Sequence, residues 1–376
     1  MTALPKVAVV GAGIEGAAAA FYMSARHGLA PVLFDPDPFS GASQVAAGML
    51  APVAEAVYGE ESLLEMMLEA AREWSSLDDA LRAMGLESGY RGGGSLLVAS
   101  GPNDVAEIER THAYYQRLGL AVRRLRAAEA REVEPALAPS SGPALYTEID
   151  NQVDNRVAHR SLLAGAFKAG ATLIEKRVAE VARRSSGWAL LDGQGAQHHF
   201  DKVVIAAGVR SGEIAGLPGY MEKALRPIRG QVLRLRVAPG TGPSLVIRSL
   251  WDGRLVYVVP RLGGEVVVGA SAEEVGFDAT RKARSTYELL RDTFKVLPGL
   301  GEADLAEVNV GFRPGTSDNF PILGEVRDGL YLDAGHFRHG ILLASITGRW
   351  IAEAVATGKA PEGMATFPPS RLEARP

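Results

Sequence analysis

The sequence predicts an α/β (α+β) fold in two parts: a Rossmann-like layer and a second, mainly antiparallel sheet. Three observations lead there. The run Lys6-Val-Ala-Val-Val-Gly-Ala-Gly-Ile-Glu-Gly16 reads as a short apolar strand, a glycine turn and the start of an Ala-rich helix. Residues 31–35, Pro-Val-Leu-Phe-Asp, read as a second strand closed by an acid. Between about 222 and 275 the apolar residues alternate in short β-branched segments, the pattern of strands with one buried face.

Taken in order, Val7 to Val10 form the first buried strand and Gly11 permits the tight turn after it. Gly13 lets the backbone approach a pyrophosphate, and Gly16 lets the following helix lie close to the sheet. The helix then offers its unpaired N–H groups and positive dipole end to the phosphates. Asp35 stands 19 residues beyond Gly16, near the roughly 20 expected of the carboxylate that binds ribose hydroxyls. A lone G-x-G-x-x-G matches surface loops by chance, but here the flanking strand, helix and second strand are all in order. Asp35 by itself also reads as a turn or helix cap. An acid at this position disfavours a 2′-phosphate, which leaves NAD or FAD.

Ser62 to Met84 has a helical pattern, Tyr90 to Ser100 is a Gly-rich entry into an apolar strand, and residues 103–133 read as polar helices. A helix from His159 to Ala169, a strand from Thr172 to Glu175 and Lys202-Val-Val-Ile-Ala-Ala-Gly208 return to α/β character. Ala207 and Gly208 close that last strand in a turn. Gly230 to Val237, Leu255 to Val259 and Glu265 to Gly269 supply the antiparallel sheet, and Thr280 to Phe294 a helix. Gly329 to Gly358 reads as strand, glycine turn and long helix. Residues 1–85, 151–220 and 308–376 therefore compose the nucleotide-binding domain, and residues 86–150 and 221–307 the second domain.

The 376 residues, 47% of them hydrophobic, are enough for a large core, and a net charge of −4 gives no field for nucleic acid. Arg123-Arg124-Leu-Arg126 and Arg183-Arg184 read as solvated helix or loop faces. The absence of cysteine removes disulfides, thiolate catalysis, iron–sulfur clusters, Cys-type zinc sites and a cysteinyl link to a flavin. No metal site is expected. The glycines and Glu15 interrupt the N-terminal apolar stretch, whose cleavage would destroy the nucleotide motif, so a cytoplasmic protein with no membrane span is expected. The sequence leaves room for a homo-oligomer.

Two further blocks carry a resemblance over nearly the whole length. One is Ala42-Ser43-Gln-Val-Ala-Ala47-Gly48-Met49-Leu-Ala-Pro52. The other is Gly311-Phe-Arg313-Pro-Gly-Thr-Ser-Asp318-Asn-Phe-Pro321-Ile-Leu-Gly324, continuing to Ala334-Gly335-His336-Phe-Arg338-His339-Gly340-Ile341-Leu-Leu-Ala344. With these the chain resembles the FAD-dependent D-amino-acid oxidase superfamily and, within it, the glycine and sarcosine oxidases. The resemblance implies a Rossmann-like FAD-binding domain with a mainly antiparallel substrate domain. It also implies noncovalent FAD held by Gly11, Gly13, Gly16, Asp35, Ser43, Ala47, Gly48, Val178, Ala207, Gly208, Gly335, His336, Gly340 and Ile341. Ser43 and the small residues after it suit a loop pressed on a pyrophosphate or flavin. Gly335 and Gly340 bracket a turn into a helix whose positive end can face the flavin's pyrimidine edge and stabilise the anionic reduced form.

Arg313 stands where the family carries its carboxylate-binding arginine, and a guanidinium suits that task because its paired donors fix a carboxylate's orientation. Tyr257 matches a tyrosine that assists the same carboxylate, and Arg338 is expected on the active-site side. Met49, Ala272 and His339 are assigned to the substrate pocket. His339 replaces the asparagine usual in glycine oxidases, and Ala272 a larger side chain that helps enclose small substrates. A roomier pocket follows, suited to a glycine bearing a bulky N-substituent. The implied reaction is hydride transfer from the substrate α-carbon to flavin N5, imine hydrolysis to glyoxylate and an amine, and reoxidation by O2 to H2O2. Glycine or sarcosine oxidation, as in thiamine-precursor supply, is the alternative, whereas N-substituted substrates point to secondary metabolism. A dehydrogenase passing electrons to a quinone or carrier and a non-enzymatic flavin-binding protein are the rival classes.

Overall fold

The computed structural model describes residues 4–373. Its first sheet has six strands in the spatial order Ile322–Arg327, Leu330–Ala334, Lys202–Ile205, Val7–Val10, Val32–Phe34 and Thr172–Ile174. All neighbours run parallel except the Ile322–Arg327 edge, which pairs antiparallel with Leu330–Ala334. Val7–Val10 is wholly buried, as a central parallel strand covered on both faces must be.

Two helices cover one face. Ile14–His27 packs against Gly340–Thr357 closely enough that a Cβ on Gly348 would lie 2.7 Å from that of Ala18. The alanine run Ala17–Ala20 is fully buried in this contact, which accounts for helical residues with almost no side-chain bulk. Glu61–Ala83 lies on the same helix, with the Trp74 indole N–H donating to the Ile341 and Leu342 carbonyls.

The second sheet has eight strands in the order Asp304–Gly315, Arg226–Arg236, Glu265–Gly269, Arg254–Pro260, Val246–Trp251, Ser95–Ala99, Ala144–Thr147 and Arg123–Leu125. Its pairings are antiparallel apart from Val246–Trp251 with Ser95–Ala99. Ala283–Val296 packs on one face, and the opposite face of the central strands turns toward the first sheet's nucleotide end. A three-stranded meander, Val178–Arg183, Trp188–Asp192 and Gln197–Phe200, bridges back to the first layer.

Several elements differ from the sequence reading. The polar helices of residues 103–133 are Val105–Arg117 and Ala127–Val133, separated by the edge strand Arg123–Leu125. Arg123 and Arg124 therefore stand on a strand, where Arg124 pairs with Glu109; Arg183, also on a strand, pairs with Asp328. The helix expected from His159 starts earlier, at Asn155, because the Asp154 carboxylate caps it by accepting from the Arg156 and Val157 N–H groups. Asp304–Gly315 is one continuous strand of the second sheet, so we place the last boundary of the proposed discontinuous domain after Gly315, not at 308. No helix among the described residues is long and apolar enough to cross a membrane.

Candidate active site

A cavity of about 1,320 Å³ runs from the glycine turn to the face of the second sheet. At one end Gly11 takes φ 101°, and a Cβ there would overlap the Ala206 carbonyl. Gly16 is equally constrained, since a side chain would strike the Gly11 carbonyl oxygen. Asp35 accepts a hydrogen bond from the Ala12 N–H at 2.8 Å, and Ser43 Oγ accepts from the Ile14 N–H at 3.0 Å. The Ser43 loop is fixed from behind, where Asn155 Nδ2 donates to the Ser43 carbonyl and Gln44 meets the buried His159.

Neither of the two long helices that begin at the cavity, at Ile14 and at Gly340, is capped by the side chain of its own N-cap residue, and the first N–H of the former is taken by Ser43 Oγ. The positive dipole ends of both helices face the cavity, where an anion would lie. Val178, Ala207 and Gly208 line the wall near Asp35; Ala47, Gly48, His336, Gly340 and Ile341 line the wall toward the second sheet. Gly335, at φ 75°, is not in that lining and serves the turn, with Thr316 only 2.7 Å from where a Cβ would stand.

This end fits FAD by its donor chemistry: two helix N-termini for phosphate and flavin, glycines that bring backbone close, and a carboxylate at a strand end for ribose. A family model described as FAD dependent oxidoreductase (DAO) matches residues 6–354. The chain belongs to this family. The protein is accordingly an FAD-dependent oxidoreductase of the glycine oxidase-like branch. It is 30% identical to a glycine oxidase of Geobacillus kaustophilus over 372 residues, covering 98% of this chain and 97% of the relative. The crystal structure of a glycine oxidase from that organism superimposes with a TM-score of 0.87 at 29% identity, covering 98% of each chain. An iminodiacetate oxidase from Chelativorans sp. BNC1 matches with a TM-score of 0.85 at 28% identity, covering 97% of this chain and 99% of that one.

The other end of the cavity is the floor provided by the second sheet. Arg313 extends from the edge strand across Gly230, where any Cβ would collide with its guanidinium. The Tyr257 phenol fills the notch left by Gly269 in the same way and is held beside Arg313. Burial raises the Tyr257 pKa while the Arg313 charge opposes the rise, so the phenol stays protonated and able to donate. Arg313 donates to the Ser271 carbonyl at 3.2 Å, but among the described residues no carboxylate stands within ion-pair distance of it.

The sequence reading missed Glu55. Its buried carboxylate pairs with Arg248 at 3.2 Å and with Arg338 at 3.4 Å. Burial raises its pKa, but Arg248, His339, Arg338 and Arg313 more than offset this, and it stays below the usual range. Arg338, which also meets Glu60 at 3.3 Å, thus reaches the cavity wall with its charge already compensated. Burial pushes the His339 pKa down to about 4, so this side chain is a neutral imidazole at ordinary pH. Asp150 accepts from the Val53 and Ala54 N–H groups and from Ser95 Oγ, setting the turn that presents Glu55. Neither Glu55 nor Arg248 belongs to a local motif. Glu55 lies in an apolar run, and a charge at such a position was the available signal.

Met49 and Ala272 both line the cavity, as do Tyr257, Ala270, Leu97, Leu250 and Leu255.

Proposed function

We propose that the protein oxidises a glycine carrying a bulky N-substituent, releasing glyoxylate and a primary amine. The observation that carries this is Arg313: a cation on the cavity floor beside the Tyr257 hydroxyl, lacking an acidic partner among the described residues where the neighbouring Arg248 and Arg338 each have one. A substrate carboxylate supplies the missing charge, and the phenol donates to the same group. The apolar wall past Ala270 and Ala272 receives the N-substituent.

FAD, when bound, would supply a two-electron acceptor for the α-hydrogen and its electron pair, with O2 as the final oxidant, giving H2O2. The balance is R–NH–CH2–COO− + O2 + H2O → R–NH2 + OHC–COO− + H2O2. The protein's contribution is mainly positional. Arg313 and Tyr257 fix the carboxylate, and the surrounding apolar wall keeps water from the α-carbon. His339, neutral and buried, leaves the substrate amine without an added positive neighbour and so favours the neutral amine that oxidation requires.

The test is oxygen consumption with glyoxylate detection across glycine, sarcosine, D-alanine, iminodiacetate and a long-chain N-carboxymethyl amine. Iminodiacetate belongs in the set because it is itself an N-carboxymethylglycine. A kcat/KM at least tenfold higher for the long-chain substrate supports the proposal, whereas equal turnover of glycine removes it. Reduction of dyes without oxygen consumption would move the protein to the dehydrogenase class.

A further inference from the structure

Three ionisable side chains outside the carboxylate site stand in a line on the cofactor side of the cavity. Glu15 comes from the first turn of the Ile14–His27 helix, Asp333 from the buried strand Leu330–Ala334, and His336 from the loop that follows it. His336 Nδ1 lies 3.6 Å from Glu15 Oε1, and its Nε2 lies 3.2 Å from Asp333 Oδ1. His336 and Asp333 are 2% and 1% exposed, and all three side chains line the cavity.

The order of the three groups matters. Each carboxylate faces a different ring nitrogen, so the imidazole meets both only with a proton on each nitrogen, as imidazolium. A single metal ion could take only one of those nitrogens and would leave the other contact unmet. Glu15 Oε2 accepts from Thr347 Oγ1 at 3.0 Å, but Glu15 Oε1, both Asp333 oxygens and His336 Nε2 have no aligned hydrogen bond. One imidazolium between two carboxylates carries net charge −1, and one added proton makes the group neutral. Buried polar atoms without partners are the places where such a proton can be held.

The geometry points to Glu15, His336 and Asp333 as a proton store that sets the electron affinity of the bound FAD. With FAD bound, substrate oxidation would supply it with two electrons and the one proton of the α-hydrogen, and so would add one negative charge beside the cluster. Above the pH at which Glu15 titrates, the cluster takes one proton from bulk water at that moment and returns it on reoxidation, whereas below that pH the proton is already held. Mass, charge and electrons then balance with no further reactant. The three are positioning residues, acting on the cofactor through charge.

The surroundings support this assignment. Burial pushes the Glu15 carboxyl up to about 8, with His336 opposing the rise and Asp333 adding to it. Burial lowers the His336 pKa, yet Glu15 and Asp333 together carry it above its ordinary value. Besides these three, the Thr347 hydroxyl faces the cluster from the long helix, and His339, one turn on from His336, is held neutral.

The test is the two-electron midpoint potential of the FAD-bound protein, measured by anaerobic dye equilibration from pH 6 to 10. One proton per two electrons gives a slope of ~30 mV per pH unit, and two protons give ~60 mV. The wild type is expected to steepen from the first slope to the second at about pH 8. Glu15→Gln is expected to follow the shallower line throughout. Asp333→Asn, which removes the other carboxylate, keeps the change of slope but moves it to lower pH. A single straight line in the wild type, or a change of slope left in place by Glu15→Gln, overturns the proposal. If Glu15→Gln does not retain FAD, Asp333→Asn decides alone: an unmoved change of slope overturns it.

Discussion

Arg313 and Arg248 both line the cavity, yet among the described residues only Arg248 of the two has a carboxylate within ion-pair reach. That difference predicts how their removal behaves. Arg313→Ala removes a charge-assisted pair to substrate and should lower kcat/KM about 100-fold, or about 3 kcal/mol, in steady-state assays with the protein's best substrate. Tyr257→Phe, which removes one donor and keeps the ring, should cost about tenfold. His339 makes a separate prediction for stability. Its folded pKa of about 4 lies below the ordinary 6.5, so the unfolded chain binds more protons between those values. Stability should therefore fall as pH drops from 6.5 toward 4, and His339→Asn should flatten that limb in thermal melts. Arg313 and Tyr257 were legible in sequence because the blocks around them resemble a known family. Glu55, Arg248 and Asp150 were not, because their partners lie far along the chain: 193 positions separate Glu55 from Arg248.

The glycines act through the elements they join. Gly230 and Gly269 have ordinary strand positions in sequence, and only the structure shows that each leaves space for a side chain from a neighbouring strand, Arg313 and Tyr257 respectively. Gly230→Ala should consequently reduce activity as severely as loss of Arg313 while leaving the fold and bound FAD intact, read by absorbance and circular dichroism. Gly348→Val belongs to packing alone. A Cβ there stands 2.7 Å from that of Ala18, and overpacking of this kind costs typically 1–3 kcal/mol, measurable as a lower melting temperature. The nucleotide strand, turn and helix were legible because the motif is local. The meander Val178–Phe200 and the edge strand Arg123–Leu125 were not: their strands are only three to six residues long, and tertiary pairing decides them.

At the scale of the molecule, two sheets assembled from interleaved segments enclose a cavity whose end beside the two helix N-termini would hold FAD. Binding to the native state alone should raise stability by about 2.7 kcal/mol when FAD stands at a hundred times its dissociation constant, visible by comparing melts of apo and reconstituted protein. The two-layer architecture followed from the sequence because each layer has its own periodicity: buried parallel runs in one, alternation in the other. The shape of the cavity did not, since it depends on which side chains from distant strands meet. The claim that organises the account is that Arg313 anchors a carboxylate while the cavity beyond Ala272 receives a bulky N-substituent. The most direct measurement is the anaerobic rate of flavin bleaching, in a stopped-flow instrument, by glycine and by a long-chain N-carboxymethyl amine, for wild type and Ala272→Met. The account predicts fast bleaching by the long-chain substrate in the wild type and a marked slowing of that reaction alone in the variant. Equal rates for the two substrates in the wild type, or a variant that slows neither, would contradict it.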